Sequence, residues 1–170
     1  EAIPGHHYQV SLQQENTSLP KFMRFGWFGA YGEGWAHYCE TLGPEFGLYT
    51  DPYQKMGYLS DQMLRAVRLV VDTGLHTGTM NREEAIKYFL SNISYDEAAA
   101  TAEVERYMAL PGQALGYKIG ALRIRELRDK YQKELGAKFS LAKFHDEILN
   151  QGCLPLDVLD RKMENWAKRQ

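Results

Sequence analysis

The chain has little cysteine, no blocks of charge and no long apolar run, and each shortage removes a class of protein. Cys39 and Cys153 are the only cysteines in 170 residues. They define neither a disulfide framework nor a thiolate zinc site, and read as buried free thiols. The 20 basic and 22 acidic side chains are interspersed, for a net charge of -2, so no nucleic-acid partner is indicated and small or peptidic ligands fit better. No apolar run approaches the ~18 residues that span a bilayer, so no transmembrane segment is expected in this chain, and nothing at the start resembles a signal peptide. Internal repeats, low-complexity tracts and a second-domain linker are also missing, and few runs alternate with period two over strand length. The first residue is Glu1 rather than Met, from which an upstream segment, and with it any targeting signal, is expected.

What is there suits one helical domain or subdomain over 1–170. A hydrophobic content of 44% with 12% aromatics can fill a sizeable core. Asp51 and Pro52 open a helix over 51–76 that carries Met56, Leu59, Met63, Ala66, Val67, Val70 and Val71 at three-four spacing, with Gly74 and Gly78 at its exit. Asn81 with Glu84 forms a capping-box start for a helix carrying Ala85, Ile86, Phe89 and Leu90. A third runs from near Asp96 to Met108 and stops before Pro111. A long helix over 113–135 has Leu115, Ile119, Leu122, Leu127 and Tyr131 among its apolar positions and ends at Gly136. Ser140 caps a helix through Asn150, and 156–167 is a last amphipathic one. Tyr31 to Leu42 reads as helical despite Gly32 and Gly34, and Glu15 to Gly29 as a loop or short extended segment. The expectation is all-α, with about seven helices.

The chemistry is densest at the amino terminus, where Glu1-Ala-Ile-Pro-Gly-His6-His7 combines a carboxylate, a helix-distorting Pro-Gly pair and two imidazoles. In HExxH sites two His four residues apart on a helix bind zinc, and the Glu beside the first works as general base. Here the Glu is present and the preceding His is not. A His before Glu1 would stand six residues from His6 and seven from His7, and seven residues of straight helix span about 10 Å. A two-residue bulge at Pro4-Gly5 would restore the four-residue geometry for His6, the first choice as ligand, with His7 the second. Glu33, between Gly32 and Gly34, meets the need for a carboxylate ligand from a separate helix, and the glycines allow close approach. Glu40, two turns along the same face, suits a partner that orients an imidazole.

Hydrolysis also needs donors for a developing oxyanion. Asp72-Thr-Gly-Leu-His76 presents a His at a helix end, where simple capping is an equal reading. Around the break at Pro111-Gly112 stand Arg106-Tyr107, Gln113 and Tyr117-Lys118. Tyr107 or Tyr117 could polarise a carbonyl, and Arg106 could clamp a peptide carboxylate. His145 and Trp166 read as structural.

The segments Glu1-Ala-Ile-Pro-Gly-His-His7-Tyr-Gln9, Glu33-Gly-Trp-Ala36, Asp72-Thr-Gly-Leu-His76, Arg106-Tyr107, Pro111-Gly-Gln-Ala-Leu115 and Tyr117-Lys-Ile-Gly120, continuing through Phe144-His-Asp146 and Leu154-Pro-Leu-Asp157, closely resemble the bacterial family of unknown function numbered 885. The resemblance covers essentially the whole chain and implies a mostly helical, zincin-like protein of the glutamate-ligand type, several times longer, of which this is the C-terminal part. By position it makes Glu1 the general base and His6 and Glu33 zinc ligands. It makes Tyr107, Tyr117 and His76 oxyanion candidates, and Arg106, Gln113 and Lys118 substrate-binding ones. The family position matching His37 usually holds an aliphatic residue, so His37, one turn from Glu33, is a departure that would perturb the site modestly.

The reading is a zinc-dependent peptidase hydrolysing short peptides, completed by the missing N-terminal part of the same protein and inactive or weakly active as this piece. It would work in the bacterial cytoplasm or cell envelope. The rival is a non-enzymatic helical interaction domain with a decayed metal site. A third reading keeps the enzyme class and replaces peptides with another amide.

Overall fold

The structure, a computed structural model, describes residues 3–170. Glu1, the expected general base, lies outside the described residues. Among these the chain is all-helical, with no strand and nine α-helices: α1 (His6–Glu15), α2 (Lys21–Phe25), α3 (Gly29–Glu40), α4 (Pro52–Thr77), α5 (Arg82–Asn92), α6 (Glu97–Ala109), α7 (Gly116–Leu135), α8 (Leu141–Leu149) and α9 (Leu156–Ala167). Short 3-10 turns at Gln113–Leu115 and Gly136–Lys138 flank α7.

The two helices beyond the expected seven are α1 and α2, and both evade an apolar-periodicity reading for a physical reason. The buried positions of α1 are Gln9 and Gln13, one turn apart, so its inner face is polar. α2 is five residues long and buries none of them. Pro20 precedes its first turn and Gly26 follows its last, so residues that read as loop signals bracket a helix, and the expectation of a loop over 15–29 is corrected. The bulged helix through Pro4-Gly5 is corrected too. Ile3 to Gly5 are bends, the Ile3-Pro4 peptide is cis, and α1 starts afresh at His6 with Gly5 before it.

Local signals elsewhere do what their chemistry dictates. Asp51 accepts from Tyr53 N with Pro52 in the first turn of α4, and Gly78 closes that helix at φ 73°. Asn81 and Glu84 complete a reciprocal capping box, while Asp96 and Ser140 cap α6 and α8.

Contacts gather the chain into two compact units, one of residues 1–39 with 119–170 and one of residues 40–118. In the second, α4, α5 and α6 pack Leu64, Val67, Val71, Phe89, Val104 and Tyr107 into one core. The buried face of α4 is displaced from the expected one. Leu64, Val67, Val71 and, unexpectedly, Arg68 and Asp72 are inside, whereas Met56, Leu59, Met63 and Val70 are exposed. In the first unit α3, α7, α8 and α9 bury Trp35, Tyr38, Ile124, Phe144, Leu159 and Met163. The face of α7 likewise shifts to Ala121, Ile124, Leu127 and Tyr131, leaving Ile119 and Leu122 exposed. Backbone contact sets that register: a Cβ on Gly120 would lie 1.7 Å from the Ala30 carbonyl oxygen and 2.7 Å from Gly34 Cα. Only glycine permits α3 and α7 to meet so closely.

Candidate functional site

In the first unit α3 carries Glu33 and steadies what faces it. Tyr31, Trp35 and Tyr38 are fully buried on its inner side. The glycines beside Glu33 each admit a neighbour: a Cβ on Gly34 would meet Gly120 Cα at 2.5 Å, and one on Gly32 would meet the Trp27 ring at 2.2 Å. The close approach expected of this Gly-Glu-Gly run is thus made to α7 and to an indole. Trp35 Nε1 donates to the Pro4 carbonyl at 2.8 Å, which ties the bend in front of α1 to the helix bearing Glu33. From that bend α1 departs with His6 in its first turn.

His6 and Glu33, 27 residues apart in sequence, meet. His6 Nε2 lies 3.2 Å from Glu33 Oε2, with the two side chains 31% and 18% exposed. On the other side of the ring Nδ1 is 3.1 Å from Gln9 Oε1. An amide oxygen only accepts, so Nδ1 carries a proton; Nε2 then either carries a second one, as an imidazolium paired with the Glu33 carboxylate, or presents a lone pair. A lone pair and a carboxylate oxygen at this distance attract only through a shared cation, either a proton or a metal ion. The donor set suits zinc, since a neutral imidazole nitrogen and a carboxylate oxygen on one tetrahedral ion stand about 3.3 Å apart. Trp27 lies against His6, ring centroids 5.7 Å apart. His7 is exposed. His37 is buried within α3, 2% exposed. Among the described residues no group of three or more His, Cys, Asp or Glu gathers to hold a metal; of the expected ligands, the structure brings His6 and Glu33 together.

In the second unit the structure joins the two sequence motifs flagged for oxyanion and substrate contacts. Asp72, 2% exposed, accepts from Gly112 N at 3.1 and 3.2 Å and so holds the Pro111-Gly112 turn, where Gly112 has φ 78°. His76 Nε2, on an exposed residue, donates to the Tyr107 carbonyl at 3.0 Å. The Tyr107 ring is completely buried; its hydroxyl donates to Glu103 and accepts from Arg68 Nε at 2.8 Å. Arg68 also donates to Glu103 from Nη2 at 2.8 Å, and Arg106 reaches Glu103 at 3.3 Å and Gln113 Oε1 at 2.9 Å.

Burial alone would raise the pKa of Glu103, but hydrogen bonds from Tyr107, Arg68 and Arg106 outweigh it and hold the carboxyl down at about 2. Burial, and the bond to Glu103, push the Tyr107 phenol up. Half-buried Tyr117 lies under the guanidiniums of Arg65 and Arg68, 5.0 and 5.1 Å from its ring centre. Lys118, its pKa lowered by burial against the opposing pull of Glu40, donates to Gln62 at 3.0 Å. Gln62 in turn donates to Glu40 at 3.3 Å.

The residues assigned to packing also have definite neighbours. Trp166 packs on Tyr131, Phe139 and Phe144, and His145 Nε2 lies 2.9 Å from the Tyr38 hydroxyl. Cys153 is buried and its thiol accepts from Phe28 N at 3.0 Å. Sequence reasoning missed Gln9, Trp27, Arg68 and Glu103. Arg68 interrupts the apolar face that α4 turns inward, and a charged residue at such a position is the signal that could have found it.

The model of the family described as "Bacterial protein of unknown function (DUF885)" matches residues 1–163. No curated protein matches the chain. Among solved structures, that of the putative lipoprotein from Colwellia psychrerythraea is 47% identical with a TM-score of 0.97, over 100% of this chain and 29% of that one. A putative lipoprotein of unknown function from Shewanella oneidensis is 27% identical with a TM-score of 0.87, over 96% of this chain and 30% of that one. The chain therefore spans less than a third of the length of the solved proteins it matches. Matched over nearly all of its own length, it belongs to the bacterial family of unknown function DUF885.

Proposed function

We propose that the chain supplies part of the centre of a zinc-dependent peptidase acting on short peptides, with His6 and Glu33 as protein ligands. The observation that carries this reading is the 3.2 Å approach of His6 Nε2 to Glu33 Oε2, made while Nδ1 is bonded to Gln9. Zinc bound there would supply a Lewis acid that lowers the pKa of a water and polarises an amide carbonyl. Glu1, by its place in the motif, takes the water proton and passes it to the leaving amine. His7, exposed, is the second choice as ligand.

Of the oxyanion candidates that the family resemblance names, all within the second unit, Tyr117 is preferred to Tyr107, whose single proton goes to Glu103. His76, whose Nε2 proton goes to a backbone carbonyl, ranks after it. Arg106 with Gln113, and Lys118, provide positive and amide groups that suit a peptide's carboxylate and carbonyls. The remainder of a longer polypeptide would complete the site. Because two solved relatives are named lipoproteins, the cell envelope is the favoured location.

The test is to assay the intact protein on free and blocked dipeptides before chelation, after it, and after return of zinc. Hydrolysis lost on chelation and restored by zinc is expected. A folded intact protein that takes up no zinc would contradict the reading and favour a non-enzymatic helical interaction module, and hydrolysis confined to other amides would correct the substrate class.

A further inference from the structure

An amide at a core position of a helix calls for a reason, and α1 has two. Gln9 is 2% and Gln13 3% exposed. Gln13 explains itself: its Nε2 donates to the Met23 and Gly26 carbonyls at 2.7 and 2.8 Å, fixing the segment that leads to Trp27, whose ring lies against His6. Among the described residues Gln9 makes a single side-chain bond, between Oε1 and His6 Nδ1 at 3.1 Å, while its Nε2 is buried and meets no acceptor. A buried amide nitrogen left without an acceptor costs roughly 1–3 kcal/mol, and Met, of similar length and shape, would fill the same space without that cost. Among the described residues, the amide at position 9 therefore gains only its contact with the imidazole.

We infer that Gln9 is a positioning residue of the candidate metal centre. Its Oε1 keeps the His6 proton on Nδ1 and holds the ring so that the Nε2 lone pair faces Glu33. The spacing enforces this, because residues three apart on a helix lie on the same face, and Gly5 O accepts from Gln9 N at 3.1 Å, so the first turn that carries His6 also carries its partner. Groups that accept from the second nitrogen of a metal-binding imidazole orient the ring and raise its basicity.

This inference rests on the zinc reading, and the experiment separates the two. Zinc affinity of the intact protein is measured by competition with a chromophoric chelator for wild type, His6→Ala, Gln9→Met and Gln9→Glu, each with a melting temperature. If wild type takes up no zinc, the zinc reading itself fails. If wild type binds zinc and His6→Ala does not, Gln9→Met is expected to bind about 10–100-fold more weakly while melting at or above the wild-type temperature. Gln9→Glu, which keeps an acceptor opposite Nδ1, is expected to bind at least as tightly as wild type. Wild-type affinity in Gln9→Met overturns the inference. Should Gln9→Met fail to fold, the Glu variant decides, and tenfold weaker binding there overturns it as well.

Discussion

Both units bury charged and polar groups around a Glu, but they satisfy them differently. In the second unit every main player around Glu103 has its complement: Arg68 and Arg106 donate, the Tyr107 hydroxyl donates and accepts, and the carboxylate takes them all. In the first unit Glu33 faces an imidazole nitrogen whose ring is bonded to Gln9 on its far side. One arrangement is closed on itself. The other calls for a cation. Strong side-chain bonding alone therefore does not single out a candidate metal site; the proposal rests instead on the close approach of His6 to Glu33.

Variants that break this comparison rank by effect. Glu33→Ala removes one acceptor of the open pair, and the intact protein should lose its stoichiometric zinc, with dipeptide hydrolysis falling by more than about 100-fold, beyond what loss of a ring-orienting partner gives. Metal analysis beside a rate assay checks it. Glu103→Gln breaks the closed cluster and leaves Arg68, with a side chain only 7% exposed, short of its counter-charge. It should cost about 3 kcal/mol in urea unfolding without changing zinc content, and loss of zinc in this variant would erase the distinction between the units.

Acid sharpens the same contrast. The folded Glu103 carboxyl titrates at about 2, below its unfolded value of about 4.3. Its contribution is therefore complete above the unfolded value and is lost as pH falls from there toward the folded one. Urea midpoints followed from pH 5 to pH 2 should drop more steeply for wild type than for Glu103→Gln. The smallest effect is expected at the α5 start, where Asn81→Ala removes one half of the capping box and should cost about 1 kcal/mol, again with zinc unaffected.

The fold was legible wherever local chemistry sets an element's end. Asp51-Pro52, Asn81 with Glu84, Asp96 and Ser140 marked four helix starts that the structure retains. Illegible were the helices without an apolar face, α1 and α2, and the rotation of α4 and α7. That rotation follows contacts between segments distant in sequence, such as Gly34 against Gly120, which no local pattern encodes. At the candidate site the types of His6 and Glu33 and the motif around Glu1 could be read from the chain, as could the Asp72, His76 and Arg106 segments. Which of these meet could not. Asp72 holding Gly112 and His76 reaching the Tyr107 carbonyl are facts of tertiary packing, and Gln9 was invisible because one amide beside two imidazoles has no spacing of its own.

The proposed centre requires that one metal ion join His6 to Glu33. Crystals of the intact protein grown with zinc, with diffraction recorded on both sides of the zinc absorption edge, test it most directly. An anomalous peak is expected about 2.0–2.2 Å from both His6 Nε2 and a Glu33 carboxylate oxygen. No peak there, with the two side chains still 3.2 Å apart as they are now, would mean that a proton alone joins them and would contradict it.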